Sequence, residues 1–117
     1  MELTVTTAEG NPNVKVVRPV GHLDGVTSDA AAPKVMEALD QSAAGLILDL
    51  GAMDFISSAG LRVLLHLRQK AQADGKQLAV VRVLPPVYKI FKIMSLDNVF
   101  RFFDEEADAI QALWPTA

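Results

Sequence analysis

Apolar and polar positions along the chain fall into short blocks whose period switches between two and about 3.6 residues, the repeats of strands and helices. Leu3, Val5 and Thr7 alternate with Glu2, Thr4 and Thr6, which predicts a first strand. Residues 8–13, with Gly10, Asn11 and Pro12, form a turn. Val14, Val16 and Val17, set among Lys15 and Arg18, predict a second strand, and the pair predicts an antiparallel hairpin. Pro19 has no N–H to give a ladder, so the second strand is expected to end or bulge there. Residues 27–41 read as the first helix, capped by Thr27, Ser28 or Asp29, with Val35, Met36 and Leu39 as its apolar stripe. Pro33 conflicts with a regular helix, since an interior proline costs about 3 kcal/mol. The helix therefore either starts near Ala32, with Pro33 in its first turn, or kinks; a late or loosened start fits better.

Residues 46–68 form the centre of the pattern. Leu46, Ile47, Leu48 and Leu50 make a near-continuous apolar run interrupted by Asp49 and bounded by Gly45 and Gly51, as expected of a strand covered on both faces. Residues 51–54 break the pattern as a polar turn. From Gly60 the period is helical: Gly60, Val63, Leu64, Leu67 and Ala71 line one face, and Leu61 and Leu65 widen it. Gly75, after Asp74, suits the left-handed position that closes a helix.

Residues 77–84 predict a further strand. Pro85 and Pro86 end it and open a short helix with Val87, Ile90, Phe91 and Met94 inward and Tyr88, Lys89 and Lys92 outward. Residues 99–103 read as a short edge strand. Asp104 is the expected cap of a last helix, with Glu105 and Glu106 in its first turn and Ile110, Leu113 and Trp114 on its inner face. Strands thus alternate with helices after an initial hairpin. The fold class is α/β, a mixed sheet opening with an antiparallel hairpin and helices packed against it.

The 117 residues suit one domain, and half are hydrophobic, enough for a core. A net charge of −3 leaves no basic footprint for nucleic acid or an anionic membrane. With no cysteine, disulfides and thiolate metal sites are excluded. His22 reads as a solvated loop residue and His66 lies on a helix, with no acidic cluster beside either, so no metal site is expected. No secretory signal is visible and no apolar stretch approaches the about 20 residues that span a bilayer, so a cytoplasmic protein without membrane insertion is expected.

The chemistry-bearing feature is Ser57-Ser58-Ala59-Gly60 at the start of the central helix. One reading is capping: a serine hydroxyl accepts from a free N–H of the first turn, worth about 1 kcal/mol. The other uses the same geometry. Unpaired N–H groups and a partial positive charge at a helix N-terminus suit an anion, so a serine there can carry a phosphate of about −2 charge without unfolding the domain. Catalysis is not expected. Ile56 stands where Gly-x-Ser-x-Gly requires its first glycine, no glycine-rich phosphate loop follows a strand, and His66 lies far along the helix from Ser58.

At Phe55-Ile56-Ser57-Ser58-Ala59-Gly60-Leu61-Arg62-Val63-Leu64-Leu65 the chain resembles the signature of STAS-domain anti-sigma factor antagonists. Gly21-His22-Leu23-Asp24 resembles a second family segment, in which the Asp lies near the phosphorylatable serine. The likeness covers nearly the whole chain and implies a single STAS domain over residues 1–117. It implies phosphorylation on Ser58, with Ser57, which stands where several members have Asp, as the second choice. It also implies a partner surface of Asp24, Phe55, Ser57, Ser58, Ala59, Gly60 and Arg62. Read without the resemblance, Asp24 is a turn cap beside Gly25, and Arg62 is as well explained as a solvated residue.

The partners implied are an anti-sigma factor that is also a serine kinase with an ATP-binding fold, and a metal-dependent serine phosphatase. The unphosphorylated protein would bind the first and free its sigma factor; phosphorylation would end binding. No cofactor is implied for this chain, since ATP belongs to the partner kinase. The alternative role within the same fold is an adaptor in a partner-switching, secretion-control or transporter complex that does not act on a sigma factor.

Overall fold

The computed structural model describes residues 2–115. The elements run β1 (Glu2–Thr7), β2 (Val14–Leu23), α1 (Gly25–Gln41), β3 (Gly45–Asp49), β4 (Met53–Ile56), α2 (Ser58–Ala73), β5 (Gln77–Val81), α3 (Pro85–Ile93), β6 (Phe102–Phe103) and α4 (Glu106–Leu113). The sheet order is β1-β2-β3-β5-β6, with β4 pairing β2 off this path. Among the described residues β1 and β2 pair antiparallel and the other pairs are parallel. The expected mixed sheet with an opening hairpin is therefore present.

The apolar run of β3 has the two-sided cover its sequence requires. Leu46 and Leu48 join Val17, Val80, Val35, Leu39, Leu61, Leu64, Val87 and Phe91 in the core under α1, α2 and α3. Ile47, pointing the other way, joins Val14, Val16, Ala79, Val81, Ala109 and Trp114 under α4. Trp114 is a core residue whose indole N–H donates to the Ala44 carbonyl at 2.9 Å. Asp49, the polar interruption, is only 1% exposed. Its carboxylate accepts from Arg18 Nη2 at 2.7 Å, Arg18 Nε at 3.1 Å and the Gly51 N–H at 3.0 Å, so the buried charge is paired and hydrogen-bonded.

Several boundaries differ from expectation. β2 runs straight through Pro19, because that residue falls between Val17, where pairing with β3 ends, and Gly21, where pairing with β4 begins. The bulge sits later, between Gly21 and His22. The break at residues 51–54 is only half turn, since Met53–Ile56 is a strand. α1 starts at Gly25 and carries Pro33 in its interior. Pro33 and Asp29, whose carbonyl the proline deprives of a partner, are both exposed, so water can serve the freed acceptor.

α2 ends as expected, with Gly75 at φ +70°. β5 stops at Val81, because Arg82 takes φ +58°. Met94 lies at the end of α3 and is 50% exposed rather than inward. The last strand shrinks from residues 99–103 to Phe102–Phe103. Asp104 does not cap α4: Glu105 holds the N-cap position without a side-chain cap, its carboxylate drawn to Arg82 Nη2 at 2.6 Å. Among the described residues no helix is long and apolar enough to cross a membrane.

Candidate functional site

The site is built where β2 and β4 end together. Their parallel register pairs Leu23 with Ile56, so the next residues, Asp24 and Ser57, emerge side by side, each as the N-cap of a helix. The Ser57 N–H donates to the Leu23 carbonyl at 2.8 Å. Gly60, buried in the first turn of α2, lets this approach happen. A Cβ there would stand 2.7 Å from the Leu23 oxygen and 2.8 Å from Ile56 Cγ1.

Asp24 caps α1, in place of the expected Thr27, Ser28 or Asp29. Its carboxylate accepts from the N–H groups of Val26 and Thr27, both at 3.0 Å. The Thr27 hydroxyl accepts from the Asp24 N–H at 2.8 Å and lies 2.9 Å from the His22 carbonyl, completing a capping box. The Thr27 N–H, then the Thr27 hydroxyl, the Val26 N–H and the neighbouring His22 hold the Asp24 carboxyl below the ordinary aspartate value. Capping, the reading made from Gly25 alone, is what the geometry shows for this residue; its place beside Ser57 also keeps it at the site.

The two serines divide the work of the turn. Ser57 is half-buried in extended conformation, and its Oγ accepts from the Gly60 N–H at 3.3 Å. Ser58 is the first residue of α2 and is exposed. Phe55 is 45% exposed, Arg62 is exposed and Ala59 is half-buried. The fold thus brings Asp24, Phe55, Ser57, Ser58 and Ala59 into one surface, with Arg62 a turn further along α2; Gly60, expected on that surface, is instead buried against Leu23 and Ile56, where it sets the approach of the two elements.

Two features were missed by sequence reasoning. His22 is a strand residue, not a loop residue, and it has an acidic neighbour: its Nδ1 lies 2.8 Å from Asp54 Oδ1, and its ring meets Phe55 edge-on at 6.3 Å. Only recognition of β4 would have put Asp54 and Phe55 beside His22. Val26 stands 82% exposed in the first turn of α1; its signal was an apolar residue outside the helical stripe. Among the described residues no group of three or more metal-ligating side chains gathers.

The STAS domain family model matches residues 6–109. The chain belongs to the STAS domain family. The STAS chain is 30% identical over 106 residues to the anti-sigma F factor antagonist of Paenibacillus polymyxa, covering 90% of this chain and 91% of that one. It is 31% identical over 111 residues to the anti-sigma-F factor antagonist RsfB of Mycobacterium tuberculosis, covering 92% and 87%. Among solved structures, an anti-sigma factor antagonist from Mycobacterium paratuberculosis superposes with a TM-score of 0.80 at 27% identity, covering 96% of this chain and 94% of that one. The STAS domain is a binding module rather than an enzyme.

Proposed function

We propose that this STAS protein is an anti-sigma factor antagonist that works by partner switching, with Ser58 as the phosphate acceptor. In this reading the unphosphorylated protein binds an anti-sigma factor that is also an ATP-dependent serine kinase, and so frees its sigma factor. The kinase phosphorylates Ser58, the complex separates, and a metal-dependent serine phosphatase restores the hydroxyl. The chain needs no cofactor of its own, since ATP belongs to the kinase.

One observation carries the reading: Ser58 is exposed at the first position of α2, while the adjacent Ser57 already holds the cap. A kinase can reach the first hydroxyl without dismantling the helix start. A phosphate there meets the free N–H donors of the first turn and remains solvated, so the fold tolerates it. In a docked interface the same dianion adds repulsion and desolvation, and a coupling of about 3 kcal/mol would weaken affinity about a hundredfold. The names borne by relatives at 30–31% identity support the sigma-directed reading. Asp24, Phe55, Ser57, Ala59 and Arg62, with exposed Val26, form the proposed docking surface around Ser58, and buried Gly60 supports it from beneath.

The test is capture of partners on the unphosphorylated protein, identification by mass spectrometry, and phosphosite mapping after incubation with ATP and the captured kinase. Capture of an ATP-binding anti-sigma protein that labels Ser58 is expected. Label confined to Ser57, or capture only of a transporter or secretion complex, would overturn the assignment.

A further inference from the structure

The two edges of the five-strand path are unlike. β6, at one end, is two residues long, too short to template another strand. β1, at the other end, has six residues, pairs β2 without a break in register, and contains no proline and no lysine. Its only charge is Glu2 at its start. Edge strands in monomers are usually blunted by shortness, charge, proline or a bulge, and β1 has only the one acid.

We propose that β1 is the interface for a second copy of this chain, joined edge to edge about a two-fold axis normal to the sheet. Directly opposite residues in an antiparallel pair share a face, so the axis must pass through a residue that opposes itself. With Thr4 on the axis, Leu3 faces Val5 of the other copy and Glu2 faces Thr6. With Val5 on the axis, Val5 faces Val5, Thr4 faces Thr6 and Leu3 faces Thr7. Both registers place apolar side chains together on the helix-bearing face and oppose no like charges, as stable cross-strand pairs require.

The flank of β1 fits the same occupant. Leu3, Val5 and Ala38 line a groove of about 280 Å³ between β1 and α1, rimmed by Lys34, Glu37 and Gln41. Val5 is 41% exposed there. The two-fold runs the α1 helices antiparallel, so Lys34 of each copy approaches Glu37 of the other: the rim is charge-complementary to itself. β1 and β4 flank opposite sides of β2, which leaves the Ser58 surface clear of the joint.

Sedimentation velocity from micromolar to millimolar concentration should show a monomer–dimer equilibrium. Val5→Lys, at an exposed position, should abolish the dimer while leaving circular dichroism unchanged, and Tm unchanged at the low micromolar end where the parent is monomeric; Ser58→Asp should dimerise like the parent. The chain has no cysteine, so Thr4→Cys and Val5→Cys each carry one thiol. Oxidation should cross-link one of these two variants, according to register, and should leave Gln111→Cys on α4 monomeric. A monomer at every concentration, a dimer that survives Val5→Lys, a dimer lost in Ser58→Asp, or equal cross-linking of Gln111→Cys would each overturn the proposal.

Discussion

The backbone N–H of Ser57 donates to the carbonyl of Leu23 across 2.8 Å, tying the residue that caps α2 to the last residue of β2. Through that bond two helix N-termini, at Asp24 and Ser57, open onto one surface. Four expectations follow from how this junction and α1 are built.

Ser58→Ala should fold with an unchanged urea midpoint, because its exposed side chain is not the cap. It should bind the captured partner and resist phosphorylation there. Ser58→Asp should also fold, and bind the partner at least about tenfold more weakly in a calorimetric titration, a coupling of about 1.4 kcal/mol or more.

Gly60→Ala should destabilise. The added methyl gains helix propensity of up to about 1 kcal/mol but is driven onto the Leu23 carbonyl and Ile56, where overpacking costs about 1–3 kcal/mol. A lower urea midpoint and weaker partner binding are expected together, since the clash pushes α2 away from Asp24.

Asp24 links the junction to pH. Its carboxyl is held below its ordinary value of 3.8, chiefly by the Thr27 N–H. A depressed folded-state value contributes stability that is fully present above the unfolded value and is lost as pH falls through the folded one. Asp24→Asn keeps an acceptor for the cap but has no charge to titrate. The Tm difference between parent and Asp24→Asn should therefore be constant near neutral pH and shrink below about pH 4. Asp24→Ala should lower Tm at neutral pH by more than Asp24→Asn does.

Pro33→Ala should raise the unfolding midpoint. It restores an N–H for the Asp29 carbonyl at an exposed position of α1. The interior-proline cost of about 3 kcal/mol is partly offset by the proline's restriction of the unfolded chain, about 0.4–1 kcal/mol, so a net gain of about 2–2.6 kcal/mol is expected. An unchanged or lower midpoint in urea would show that α1 already accommodates the ring without loss.

The legible parts of the fold were those where one element carries its own signal. Leu46, Ile47, Leu48 and Leu50 announce a doubly covered strand; Leu61, Leu64, Leu67 and Ala71 trace the buried face of α2; Gly75 marks its end. The Ser57–Ser58 turn was legible as a helix start for the same reason, since caps act on backbone groups a few residues away. By contrast β4 shows only Met53 and Ile56 buried in four residues, too little pattern to be read as a strand.

The sequence by itself determined the α/β class, the opening hairpin and the serine pair at a helix N-terminus, because periodicity and capping are local. Only the tertiary structure decided that Pro19 lies within β2, that His22 meets Asp54, and that Ser57 rather than Ser58 holds the turn. The first two of these outcomes turn on the β2–β4 register, a pairing between segments some thirty residues apart. The choice between the serines turns on how the first turn of α2 closes against Leu23, a contact that no local pattern encodes.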